Sequence, residues 1–293
     1  MANNETTSVE VAEFAQKVLA EAVFVAQAGS VFMPGNPGEQ FLRVRDLTGV
    51  KAKSADFPKW NELTAAVQAE TEDVQTWQQM DASAVTITAT IKTSPTFITD
   101  MAVDTADEDI TRDRGIQMGN AFAKKVDTDV CALFAGFSKG VGNSGENLTL
   151  TDILEGINLL EEAEAPRPYL ITLPPTGWYQ LLIENDSKFL EVAKFGPKAQ
   201  EVISTYRVFE ALGCLWAITP RCPSANANVD KLGAIMARGA LGMVWKWMPR
   251  IDTQPDISRG GGGYEFIGKM AYGVAEVEDA FGIKITHAAT VGS

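Results

Sequence analysis

Apolar side chains recur every three or four positions between residues 9 and 27, at Val11, Phe14, Ala15, Val18, Leu19, Ala22 and Val25. That spacing predicts a helix with one apolar face, begun at Ser8 as its N-cap. Gly29 and the run Pro34-Gly35-Asn36-Pro37-Gly38 stop it and turn the chain. A charged, weakly apolar excursion follows over about residues 34–83. Its ends read as strands, one over 41–45 and one over the alternating Val85, Ile87, Ala89 and Ile91. Next comes a long amphipathic helix, predicted over 105–137, with the stripe Met118, Phe122, Val126, Val130, Leu133 and Phe137. Asp104, Asp107, Glu108 and Asp109 crowd its first turn, where the positive end of the helix dipole favours carboxylates, and Gly136 and Gly140 mark its end. Its length of about 48 Å at 1.5 Å per residue suits a scaffold, since a mean helix has only about 11–12 residues.

From Leu148 the pattern becomes mixed α/β. Thr151-Asp152 is expected to cap a helix with Ile153, Leu154, Ile157 and Leu160 inward, ended by Pro166 and Pro168. Residues 169–173 read as a buried strand. Pro174-Pro175 then open a helix carrying Trp178, Leu181 and Leu182, with more helix to about Phe209. Short strands are expected at 215–219, 232–236 and 243–248, and closing strands at 264–278 and 282–287.

Composition narrows the function. The chain is 45% hydrophobic and 22% charged, as in an ordinary soluble globular protein. No run approaches the roughly 18 apolar residues of a membrane span, and the acidic, polar start is unlike a secretory signal. A net charge of −13 with no basic stripe argues against a grip on nucleic acid. It does not argue against an inner wall that must release what it encloses. Cys131, Cys214 and Cys222 are widely spaced and the one histidine, His287, lies near the end, so a zinc site lacks ligands and free thiols are expected. No Ser or Cys has a base in reach, the acidic clusters fall on solvated segments, and Gly260–Gly263 lacks the P-loop pattern and precedes a strand. No catalytic reading survives.

The excursion divides by charge. Residues 43–59 hold Arg43, Arg45, Lys51, Lys53 and Lys59 against Asp46 and Asp56, whereas 62–81 hold Glu62, Glu70, Glu72, Asp73 and Asp81 with no Lys or Arg. Its aromatics Phe57, Trp60 and Trp77 lie on a segment with no core of its own, which suggests burial against something else.

The closing stretch 264–285 (YEFIGKMAYGVAEVEDAFGIKI) and the strand–Pro–helix unit 170–182 (LITLPPTGWYQLL) stand in a characteristic order. With the arm, loop and long helix before them, the chain resembles tailed-phage major capsid proteins of the Hong Kong 97 type. The resemblance covers nearly the whole chain through architecture and loose patterns. It implies an α+β fold with an N-arm over 1–35, an extended loop over 36–92 and a peripheral domain with a spine helix over 93–146. An axial α/β domain would fill 147–262, and peripheral return strands 263–293. Some members cross-link a loop lysine to an asparagine near the closing strand. Lys269 stands at the corresponding position here and Glu276 where those members carry a needed acid, so no such cross-link is expected.

The resemblance further implies a structural protein without cofactor or metal that assembles in the host cytoplasm into the pentamers and hexamers of a virion capsid. A separate scaffolding protein and a portal would be partners, a decoration protein is admitted, and double-stranded DNA would be enclosed without sequence-specific binding or contact with a membrane. Candidate subunit contacts are Arg43, Arg45, Lys51, Lys53 and Trp60 on the loop and Asp104, Asp107, Glu108 and Asp109 on the acidic stretch 100–109. An encapsulin, a compartment of the same fold around a cargo enzyme, is the nearest alternative and would show a cargo-peptide pocket near the first helix. A soluble α/β hydrolase or ligand-binding protein would instead need polar groups converging on a pocket in 147–262.

Overall fold

A computed structural model describes residues 30–60, 63–65, 67, 77, 79, 82–105, 110–184, 208–256, 258 and 262–291. The helix expected over 9–27 lies outside them. The described chain forms two large sheets, a separate hairpin and four α-helices.

The first sheet has the order β1-β11-β12-β4. β1 (Leu42–Asp46) runs parallel to β11 (Leu241–Pro255), which pairs antiparallel with β12 (Tyr264–Glu276), and β12 pairs with β4 (Thr90–Ile98). β11 is far longer than the strand expected over 243–248. Its polar outer half, around Pro249 and Asp252, carries no apolar alternation and is held by pairing to β12 across two register shifts. The expected strand through residues 85–91 is divided at Ala89. Residues up to Thr88 belong to β3 (Ala82–Thr88), which pairs with β2 (Ser54–Trp60) as a two-stranded sheet of its own.

The second sheet has the order β5-β13-β10-β6-β8-β7, with β9 (Ser224–Ala225) added on β10. Its strands are β5 (Lys139–Val141), β6 (Tyr169–Leu173), β7 (Val208–Ala211), β8 (Cys214–Ile218), β10 (Asp230–Ala237) and β13 (Gly282–Ala288). β7 stands where helix was expected to reach Phe209. Leu212 and Gly213 both have positive φ, 58° and 70°, the two-residue turn that folds β7 back on β8. Strand pairing also separates the two closing strands, placing β12 in the first sheet and β13 in the second.

Helix α1 (Asp100–Thr105) precedes α2 (Ile110–Ala132), which a 3-10 turn over Leu133–Gly136 ends. The described part of this helix is 23 residues, about 34 Å, and its α-helical turns end at Ala132, short of the end expected at 137. Its stripe is as read: Met118, Phe122, Val126 and Val130 are buried. With Cys131 and Phe134 they fill a core shared by both sheets, meeting Met243, Trp245, Phe266 and Met270 from one and Leu170, Ala234 and Met236 from the other. Opposite faces of the second sheet serve different cores. Ile171, Trp216, Ile235 and Ile285 point the other way, under α3 (Leu150–Glu162) and α4 (Pro175–Glu184). The cap of α3 is Thr149, not Thr151: its hydroxyl accepts the Asp152 amide while the Asp152 carboxylate accepts the Thr149 amide. Leu154 is exposed on that helix rather than inward.

His287, expected on a polar tail, is wholly buried because β13 is an interior strand between β5 and β10. Nearby, three successive left-handed residues (Asn226, Ala227 and Asn228) precede β10. The Asp230 carboxylate ties them down, accepting from Asn226, from the Ser144 hydroxyl at 2.6 Å and from the Gly145 amide at 2.8 Å.

Candidate subunit-contact surface

The base of the β2–β3 hairpin is built by alternation. Ala55, Phe57 and Ile87 point inward and meet Val244 and Val277 on the back of the first sheet. Phe57 is 0% exposed, buried against the body of its own chain. Trp60 and Trp77 do stand out, 55% and 85% exposed. Arg43 and Arg45, two apart on β1, project on one face of the strand. Their guanidinium carbons lie 5.8 and 5.3 Å from the centre of the Phe57 ring, and Arg43 also donates to the Pro58 carbonyl at 3.0 Å. One buried ring therefore orients both exposed cations.

The turn after β1 is pinned from below. Lys246 donates to the carbonyls of Leu47 and Val50, and the Leu47 amide donates to Trp245 O at 2.7 Å. The Thr48 hydroxyl and amide hold the Asp46 carboxyl below its ordinary value. Lys51 and Lys53 sit exposed on this turn. At the far end of β2, Lys59 pairs with Glu278. Beside it, burial and the adjacent Asp279 carboxyl raise Glu276. Lys269 faces Asp252 at 2.7 Å.

Arg43, Arg45, Lys51, Lys53 and Trp60 are thus gathered along β1 and β2. The acidic candidates lie elsewhere. Asp100 is exposed at the start of α1, Asp104 follows on the same helix, and Asp107, Glu108 and Asp109 lie outside the described residues. β1 is one edge of the four-stranded sheet, whereas α1 follows directly from β4, the other edge. Three strand spacings, about 14 Å, separate those edges.

A clasp holds the chain where the residues before 30 join it. The buried Asp127 carboxylate accepts from the Ser30 hydroxyl at 2.5 Å and from the amides of Val31 at 3.1 Å and Phe32 at 3.3 Å. The Ser30 oxygen in turn accepts from the amides of Phe32 and Met33. Burial raises the Asp127 carboxyl despite these bonds. The sequence carried one signal of this, an acid beside Val126 on the buried side of α2. Cys131, one turn further on, is buried with Cys222 in the same core, and burial raises its thiol. Among the described residues no three His, Cys, Asp or Glu gather to hold a metal ion, and no helix is long and apolar enough to cross a membrane.

No curated protein matches the chain. Solved structures do. The capsid of cyanophage P-SCSP1u is similar with a TM-score of 0.63 at 19% identity, covering 86% of this chain and 88% of that one. The capsid asymmetric unit of cyanophage Pam1 gives a TM-score of 0.69 at 11% identity, covering 90% and 93%. A virus-like particle from Pyrococcus furiosus gives 0.56 at 13% identity, covering 93% and 99%. These likenesses show the fold. The phage capsid protein family itself matches residues 85–285, well over half of the chain. The chain therefore belongs to the phage capsid protein family, with the Hong Kong 97 type of capsid fold.

Proposed function

We propose that copies of this chain close, as pentamers and hexamers, into an icosahedral shell around the double-stranded DNA of a tailed phage. The observation that carries the contact is the placement of opposite charges on opposite edges of one sheet. Cations stand along β1 and its turn, and acids follow β4. A surface that is basic at one end and acidic at the other joins head to tail, and such heterologous contacts close into rings. The stretch 43–59 of one copy would dock on Asp100, Asp104, Asp107, Glu108 and Asp109 of the next, with Trp60 entering the same contact. Exposed pairs are worth about 0–1 kcal/mol each, so repetition around the shell supplies the strength. Salt weakens them, because the Debye length is only about 8 Å at physiological ionic strength.

In this reading the second sheet with α3 and α4 forms the axial domain, and the first sheet with α2 the peripheral domain. The β2–β3 hairpin is the base of the extended loop. The protein acts by geometry and not by catalysis, assembles in the host cytoplasm with a scaffolding protein and a portal, and presents its excess negative charge to DNA that must move freely. The P. furiosus particle shares the fold, but the family match on 85–285 favours a phage shell over a cellular compartment.

The test reverses charge. Arg43→Glu, Arg45→Glu and Lys51→Glu together should abolish rings and shells in negative-stain microscopy, with the scaffolding partner present, while the circular dichroism of the monomer is unchanged. A second variant, Lys51→Glu with Lys53→Glu, leaves the Phe57 stack intact and should slow assembly at low salt. Normal shells from both would sink the contact.

A further inference from the structure

A cleft of about 870 Å³ opens at the junction of the two large sheets, between β1, the end of β2, the end of α3, the β10–β11 turn and the link from β12 to β13. Leu42, Val44, Val277, Phe281 and the exposed Trp60 give it an apolar lining. Three cations, Arg43, Lys59 and Arg238, stand around it against one carboxylate, Glu278, which Lys59 already engages. Among the described residues neither Arg43 nor Arg238 has a carboxylate partner. A cleft of this kind fits an apolar side chain with an acid beside it.

We propose that α1 of a neighbouring copy docks here, with Met101 on the apolar lining and Asp100 against Arg238. Met101 is 71% exposed. The Asp100 carboxylate beside it is exposed and has no cation partner among the described residues. Distance excludes the α1 of the same copy. β1 lies beside Leu241–Trp245, the first residues of β11, whereas α1 follows Ile98, whose partner Tyr264 pairs with Pro255, the last. The 15 residues of β11, at about 3.3 Å each, put roughly 45 Å between them. The docking therefore joins opposite ends of one sheet in two copies, the heterologous geometry that closes rings. It rests on the head-to-tail ring proposed above and adds a receptor on the body, with Arg238, Val277 and Phe281 outside the stretch 43–59. The size fits as well. Six helical residues, rising 1.5 Å each and 10–12 Å across with side chains, fill about 700–1,000 Å³. Leu154 on α3, exposed and flanked in sequence by Asp152 and Glu155, is the rival. Its own helix runs into the cleft wall at Ala163. That contact would set one region against itself, a pairwise geometry that closes no five- or six-membered ring.

Full-length ¹⁴N chains carrying p-benzoylphenylalanine at Ala163, and separately at Ala280, test this. They are assembled with the scaffolding partner in an excess of ¹⁵N wild-type chains, irradiated, and mapped by mass spectrometry. Mixed-isotope cross-links into the peptide holding Asp100–Thr105 are expected from both positions. Arg238→Ala in the labelled chain, or Asp100→Ala in its partners, should each lower the yield about twofold to fivefold at low salt, as loss of one exposed pair allows. Both together should lower it no further than the larger single loss, because they remove the same contact. Shells that form without these cross-links, cross-links into α3 instead, or losses that simply multiply overturn the docking and leave the charged ring standing. Wild-type chains that form neither rings nor shells overturn the ring itself, and the docking with it.

Discussion

Phe57→Ala removes the ring on which the loop base and its cations both rest. The side chain is fully buried among Ala55, Ile87, Val244 and Val277. Truncating a buried phenylalanine costs about 3–5 kcal/mol, and losing two exposed cation–π contacts adds about 0.5–1 kcal/mol each. The loss should be local. β2 and β3 pair only with each other, and neither of the two larger cores contains a residue of either strand. A two-stranded hairpin alone is marginally stable in water, so the hairpin should detach while the body stays folded. Hydrogen exchange read by mass spectrometry resolves this. Peptides covering 54–60 and 82–88 should exchange at least about a hundredfold faster, since each 1.4 kcal/mol is tenfold, with α2 peptides unchanged. Phe57→Leu keeps most of the apolar volume and should speed the hairpin only about tenfold, in line with a cost near 1–1.5 kcal/mol. Hairpin exchange within threefold of wild type in the alanine variant, or an equal loss of protection in α2, would refute the reasoning.

Two further predictions concern buried groups of the body. Burial depresses His287 below its ordinary 6.5 and its Nε2 has no partner among the described residues, so the unfolded chain takes the proton first. Its contribution is intact above about pH 6.5 and is lost as pH falls below it. Wild type should therefore lose up to about 1.4 kcal/mol per pH unit relative to His287→Gln in urea unfolding between pH 7.5 and 5.5, and parallel curves for the two would count against it. Asp127→Ala leaves the Ser30 hydroxyl and the Val31 amide without their acceptor, while the Phe32 amide keeps the Ser30 oxygen, and should cost about 2–6 kcal/mol at roughly 1–3 kcal/mol per orphaned group. Combined with Ser30→Ala the cost should fall short of the sum by about 1 kcal/mol, whereas strict additivity would show that the clasp is not one unit.

What could be read in the sequence was what local pattern carries. The 118–130 stripe marked the buried face of α2, and unbroken apolar character marked β6. Boundaries failed where a distant partner decides them. β7 was hidden because Leu212 occupies a left-handed position usually held by Asn or Gly. The outer half of β11 is polar and is a strand only because β12 lies beside it. The cations proposed for the contact were legible as a charge run, but the ring that orients the two arginines was not. Phe57 looked like an apolar residue with no core, because its partners Val244 and Val277 lie 187 and 220 residues further along the chain.

In the proposed contact the two kinds of cation would have different work to do. A long basic side chain carries about 2 kcal/mol of rotamer entropy, more than an exposed ion pair returns. Arg43 and Arg45 are already confined over Phe57, so less freedom remains to be lost when a neighbour arrives. They suit fixing the register of a contact. Among the described residues Lys51 and Lys53 have no such support on their turn, so in the proposed contact they would act chiefly through long-range attraction, which speeds encounter more than it strengthens the result. Because Phe57 also anchors the hairpin, any shift of the loop base displaces both arginines with it. In the proposed contact, loop direction and contact strength would therefore be one variable, set by a single ring.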